Sequence, residues 1–137
     1  MIVVSISGRN AGVVDMALEA KAIGMKVIAL TSRQFSSSTT SRHSSGKHLA
    51  DVADVVIDVK CVNGDAALSM DGLEPHFCGT STVLGMAIME SIVAQTVENC
   101  VNAGCIPPIY VSSNLDKGRR YQRPAHQKLQ QTDLLAY

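Results

Sequence analysis

Apolar residues come in short runs separated by stretches of helical spacing. Ile2 to Ile6 is a β-branched run stopped by Gly8, the pattern of a buried strand. Val13, Val14, Ala17, Leu18 and Ala20 then recur at helix spacing, with Asp15, Glu19 and Lys21 between them and Gly24 as the closing residue. Val27 to Leu30 reads as a second strand, a short helix is expected around Lys47 to Val52, and Val55 to Val59 reads as a third strand. Two stretches break the pattern. Residues 32 to 46 are dominated by Ser and Thr and read as a flexible loop, and residues 60 to 79, with Gly64, Gly72 and Pro75, read as an irregular connection. Thr80 to about Ala103 reads as one long helix, apolar on most of its circumference through Val83, Leu84, Met86, Ile88, Met89, Ile92, Val93 and Val97. Gly104 and Pro107-Pro108 end it, and Ile109 to Val111 is expected to be a last strand. The alternation of strand and helix predicts an α/β domain built on a parallel sheet.

Composition sharpens this picture. The apolar fraction is 46% and the aromatic fraction only 4%, so the core is aliphatic, as suits a parallel sheet covered by helices. The formal net charge is zero, which argues against a nucleic-acid surface. Lys117, Arg119, Arg120, Arg123 and Lys128 form a local exception, read as a solvated basic tail over 117–137. Glu90, Gln95 and Glu98 interrupt the long helix and argue against a membrane span. Cys61, Cys78, Cys100 and Cys105 include no C-x-x-C pair, so free thiols in a reducing cytoplasm are expected and a metal site is not.

In an open parallel sheet, ligands bind beyond the carboxyl ends of the strands. Ser7, Gly8, Arg9 and Asn10 follow the first strand, Thr31 and Ser32 follow the second, and Thr80, Ser81 and Thr82 open the long helix. Hydroxyls, a permissive glycine and helix N-termini together suit an anion, because they offer donors that the helices themselves leave unpaired. Arg9 adds a charge-assisted donor. Each turn taken alone is equally an ordinary strand–helix junction or N-cap. Gly8 and Gly12 are four apart and no Lys-Ser/Thr pair follows, so this is neither a P-loop nor a dinucleotide fingerprint. A phosphate ester is expected, with no cofactor.

Ser5-Ile6-Ser7-Gly8-Arg9-Asn10, followed by Ala20-Lys21-Ala22-Ile23-Gly24 and Val27-Ile28-Ala29-Leu30-Thr31-Ser32, resembles the phosphosugar-binding signature of the sugar isomerase (SIS) domain. The likeness continues through Ala53 to Asp58 and Gly79 to Thr82. Ser41-Arg42-His43-Ser44-Ser45-Gly46-Lys47 and Gly72-Leu73-Glu74 resemble an uncharacterised bacterial SIS subfamily. The resemblance spans residues 2 to about 116 and implies a flavodoxin-like, three-layer α/β/α fold on a five-stranded parallel core. It implies binding of a sugar phosphate, in a dimer or other homo-oligomer, by Ser5, Ser7, Gly8 and Asn10 on one side and Ser32 with Thr80, Ser81 and Thr82 on the other. Members of the family include aldose–ketose isomerases and regulators that only bind. The N-terminal strands and helices of the family have no counterpart here, which leaves Ile2 to Ile6 as an open apolar edge and predicts a partner chain to cover it.

An aldose–ketose isomerase needs a carboxylate to move a proton between carbons and an acid–base group to open the sugar ring. Glu74 and His43 are the candidates, with His76 in reserve and Glu90 only if it faces the cleft. Glu74 is equally well read as a solvated loop carboxylate and His43 as a loop residue bonded to neighbouring hydroxyls, while Glu90 is better read as an interface or core-edge carboxylate. The sequence therefore leaves three readings open: a phosphosugar isomerase, a sugar-phosphate-binding regulatory module, and an inactive truncated domain.

Overall fold

The computed structural model describes residues 1–112 and 114–115. The expected basic tail over 117–137 lies outside the described residues. The chain divides into two compact units, Met1–Met89 and Glu90 onward, each described here by itself.

In the first unit, β1 (Ile2–Val4), β2 (Ile28–Thr31) and β3 (Val55–Asp58) form a parallel sheet in the order β1-β2-β3. The register runs Val3↔Ala29↔Val56 and Val4↔Leu30↔Ile57. Helix α1 (Ala11–Ala22) joins β1 to β2; α2 (Arg33–Ser37) and α3 (Leu49–Val52) lie between β2 and β3. Both connections step the same way across the sheet, and crossovers of one hand then put their helices on the same face. Val14, Ala17 and Ala20 of α1 and Leu49 and Val52 of α3 do share one buried cluster with Val3, Val27 and Ala29. On the opposite face Leu30, Val59 and Cys61 are buried beneath Ile88 and Met89 of α4 (Ser81–Asn102). Gly85 is the buried residue of this helix beside Leu30, where a Cβ would meet Leu30 Cδ2 at 3.7 Å, an ordinary van der Waals distance. The α/β class and the mainly parallel sheet expected from the hydrophobic pattern are thus present.

Three expectations need correction. The stretch over 60–79 is not irregular: β4 (Ala66–Met70) and β5 (Leu73–Gly79) form an antiparallel hairpin. Its turn is Asp71-Gly72, with Gly72 at φ 84°, in the left-handed region that glycine adopts freely. The Ser/Thr stretch is not uniformly loop, because Ser32 caps α2 through the Phe35 amide. Residues 109–111 form no strand among the described residues; Pro107 and Pro108 remove two amide donors just ahead of them.

The expected open edge is found. β1 pairs with β2 on one side only among the described strands, and Ile2 and Val4, turned away from the α1 cluster, are 38% and 53% exposed. In the second unit α4 ends with Gly104 at φ 74°, where the Cys105 amide donates to the Cys100 carbonyl at 2.8 Å. No described helix is long and apolar enough to cross a membrane.

Candidate functional site

The turn after β1 keeps its donors open. The Ser5 amide continues the ladder to the Leu30 carbonyl at 3.0 Å, and the Ile6 carbonyl accepts from the Ser32 amide and the Thr31 hydroxyl, both at 2.9 Å. The chain then turns at Gly8, at φ 60°, so that the Gly8 carbonyl accepts from the Leu49 amide at 2.8 Å. A Cβ on Gly8 would sit 3.3 Å from both Leu49 Cβ and Thr31 Oγ1, which ties this glycine to the close approach of α3 as well as to its own backbone. Asn10 occupies the N-cap of α1 with extended backbone but makes no side-chain cap; its Oδ1 accepts instead from Arg42 at 3.2 Å. The first-turn amides of α1 therefore lack a side-chain acceptor. The Ser5 and Ser7 hydroxyls make no hydrogen bond among the described residues. Arg9 reaches Thr40 at 3.5 Å, while its Nε is buried with no partner among the described residues.

The turn after β2 is closed. Thr31 and Ser32 are fully buried. Besides the Thr31 bond to Ile6, the Ser32 hydroxyl donates to the Cys61 carbonyl at 2.6 Å and accepts from Phe35. Buried hydroxyls find internal partners. These two residues, expected to line the cradle, brace it from behind in this structure.

The turn ahead of α4 is occupied from within the chain. Asp65 Oδ1 accepts from the Thr80 amide at 3.1 Å, the Ser81 amide at 2.8 Å and the Thr80 hydroxyl at 3.4 Å. The Ser81 hydroxyl donates to Asp65 Oδ2. Burial pushes the Asp65 carboxyl up, but the hydrogen bonds from Ser81 and Thr80 outweigh it and hold the group below the usual aspartate range. Gly79 makes the room, since a Cβ there would lie 2.9 Å from Asp65 Oδ2. Thr80 and Ser81, expected as ligand donors, thus hold a carboxylate of the same chain; Thr82 is exposed and faces an apolar groove of about 250 Å³ with Val4, Ile6, Leu30 and Met86.

The two catalytic candidates differ sharply in setting. His43 has an 11% exposed side chain; its Nε2 lies 2.9 Å from Asp15 Oδ1 and its Nδ1 lies 2.7 Å from the Ser45 hydroxyl. Its loop is tied to the β1 turn, because the Arg42 amide donates to the Arg9 carbonyl at 2.8 Å. The Glu74 side chain is exposed on β5 and makes no hydrogen bond among the described residues, and neither does the His76 side chain on the same strand. Glu90 on α4 is exposed too. The structure therefore gathers Ser5, Ser7, Gly8, Arg9, Asn10 and the His43 loop into one neighbourhood. Sequence reading missed Asp15 and Asp65. An acidic residue just after Asn63-Gly64 was a readable turn signal for Asp65, whereas nothing in the sequence pairs Asp15 with a histidine 28 positions on.

Residues 1–32, which hold β1, the Ser5–Asn10 turn, α1 and β2, match the family model of the SIS domain. Over 121 residues, 88% of this chain, the sequence is 46% identical to a UPF0309 protein of Streptomyces griseus, of which the match covers 48%. It is 43% identical over 123 residues to a UPF0309 protein of Listeria innocua, covering 90% of this chain and 50% of that protein. A UPF0309 protein of Thermoanaerobacter pseudethanolicus is 45% identical over 118 residues, 85% of this chain and 48% of its own. The chain spans about half the length of these curated relatives. The resemblance carried by the Ser5–Asn10 motif is borne out: residues 1–32 are similar to the SIS domain, the fold is α/β, and the chain is similar to about half of a UPF0309 protein.

Proposed function

We propose that the chain binds a phosphorylated sugar, with the phosphate on the Ser5–Asn10 turn. The observation that carries this reading is the contrast in donor use: of the three hydroxyl-rich turns, only this one has serine hydroxyls without an internal acceptor. The uncapped first turn of α1 and the guanidinium of Arg9 add amide donors and charge at the same place. The test is a thermal-stability screen against hexose, heptose, pentose and amino-sugar phosphates, since a ligand of the native state raises its stability by mass action. At a concentration of about 100 Kd the gain is about 2.7 kcal/mol. A sugar phosphate that raises the melting temperature, with the shift lost in Ser7→Ala, is the expected result. A flat response to the whole panel would sink the reading.

Turnover as an aldose–ketose isomerase is supported by His43, which Asp15 orients beside the turn. Binding without turnover is supported by Glu74, whose exposed place on β5 provides no contact to position it as a base. Measured isomerisation of a ligand found in the screen, compared between the parent chain and Glu74→Gln, decides between them. The exposed edge of β1 and the apolar groove beside Val4 support a partner there, either a second copy or a chain equivalent to the other half of the relatives. Light scattering showing only monomer at micromolar concentration would count against self-association. The four free cysteines suit a reducing, cytoplasmic setting.

A further inference from the structure

Both ring nitrogens of His43 are engaged, so the imidazole cannot touch a ligand directly without giving up a contact. The hydrogen bonds also define its tautomer. The Ser45 backbone N–H, which can only donate, points at Nδ1 from 3.1 Å. Nδ1 is therefore the unprotonated nitrogen, and Nε2 carries the hydrogen that it donates to Asp15 Oδ1 at 2.9 Å. The Nδ1 lone pair is shared between that amide and the Ser45 hydroxyl, the nearer of the two at 2.7 Å, and the hydroxyl oxygen accepts from the Lys47 amide at 3.3 Å. Ser45 is exposed, whereas the His43 side chain is 11% exposed. Carboxylate, imidazole and hydroxyl thus stand in line, with the hydroxyl outermost, and this is the order in which a base activates a hydroxyl through an oriented imidazole.

We propose that Asp15, His43 and Ser45 form a proton relay whose reactive end is the Ser45 hydroxyl, with His43 as its base and Asp15 as a positioning residue. Asp15 holds the tautomer and stabilises the imidazolium that forms when Nδ1 takes the serine proton. The role assigned to the relay rests on the phosphosugar reading, because the loop is joined to the Ser5–Asn10 turn through Arg42, whose amide meets the Arg9 carbonyl and whose guanidinium meets Asn10. The substrate class is a cyclic aldose phosphate. Its anomeric hydroxyl gives a proton to Ser45 Oγ while the serine proton passes to His43 Nδ1. The bond from the anomeric carbon to the ring oxygen breaks, its electron pair going to the ring oxygen, and a carbonyl forms. The imidazolium returns one proton through Ser45 to the ring oxygen, so the step consumes no proton, oxidant or reductant.

The test uses the full chain and a fluorophosphonate probe, which reports an activated hydroxyl whether or not the sugar is known. Ser45 Oγ attacks phosphorus, fluoride leaves, and the serine proton passes through Nδ1 to solvent. Peptide mass spectrometry should find the adduct at Ser45. His43→Gln should slow labelling about 100-fold, and Asp15→Asn about tenfold, with unchanged circular dichroism and melting temperature. Nitrogen NMR of the parent chain should show the Nε2–H tautomer of His43, and a shift away from it in Asp15→Asn. No adduct at Ser45, or labelling of His43→Gln at the parent rate, overturns the relay. The two readings fail separately: labelling with a flat sugar-phosphate screen leaves the relay and removes the binding role, while a thermal shift without labelling does the reverse.

Discussion

The turn after β1 and the turn ahead of α4 are made of the same parts. Each has a glycine, two or three hydroxyl residues and a helix of at least three turns behind it. Yet one keeps its serine hydroxyls open and the other is filled by the Asp65 carboxylate. The difference teaches that a hydroxyl-rich helix entrance is a site for negative charge in general. Whether the charge comes from the chain or from a ligand depends on what the fold brings nearby. Here the segment just before the β4–β5 hairpin brings an aspartate to one entrance, at the left-handed residue Asp65, φ 64°. The other entrance faces no such carboxylate and has Arg9 beside it instead.

The largest effect is expected from Gly8→Val, which forces a β-branched residue into the left-handed region and drives its Cβ against Leu49 and Thr31. The loss should be about 2–4 kcal/mol, read as a lower denaturation midpoint. A melting temperature near that of the parent chain would break the claim that Gly8 sets the shape of the open turn. Asp65→Ala comes next. It strips the Thr80 and Ser81 amides of their acceptor and should cost about 1–2 kcal/mol, as loss of an N-cap does. It should also turn the closed entrance into an open one, so that added inorganic phosphate restores more stability to this variant than to the parent.

The pH dependence sharpens the same point. Because the folded-state pKa of Asp65 is depressed, its contribution is present above the ordinary aspartate value and is lost as pH falls from about 4 through the lowered value. Acid titration of stability should therefore be shallower in Asp65→Ala than in the parent chain. The smallest effect on the fold is expected from Ser7→Ala, within about 0.5 kcal/mol, because its hydroxyl holds nothing in place. Its effect should appear only in ligand binding, as a loss of about tenfold. A Ser7→Ala variant that is clearly destabilised would mean that the hydroxyl serves the fold after all.

Much of the architecture was legible because it rests on local signals. The β-branched runs at Ile2 and Val27, the helical spacing from Val13 to Ala20, and the Gly104 stop are periodicities or caps within a few residues of one another. The β4–β5 hairpin was also legible in principle, since Asp71-Gly72 is a strong turn signal, but Pro75 and Gly64 drew attention toward an irregular reading. Pro75 is tolerated because a two-stranded hairpin leaves each strand one unpaired edge. The strand expected over 109–111 had the right composition, but a strand exists only where a neighbour completes its ladder.

The candidate site divides along the same line. The sequence by itself determined that hydroxyls and glycines would collect at the carboxyl end of a parallel sheet, because strand–helix alternation places every such turn on one edge. Only the tertiary structure decided which of them are available. Thr31 and Ser32 are closed off by burial, Thr80 and Ser81 by Asp65, and His43 is paired with an aspartate 28 positions away on α1. Hydrogen-bond capacity is used up by whichever partner folding brings within about 3 Å, and that partner is set by packing between distant segments, which no local pattern of residues records.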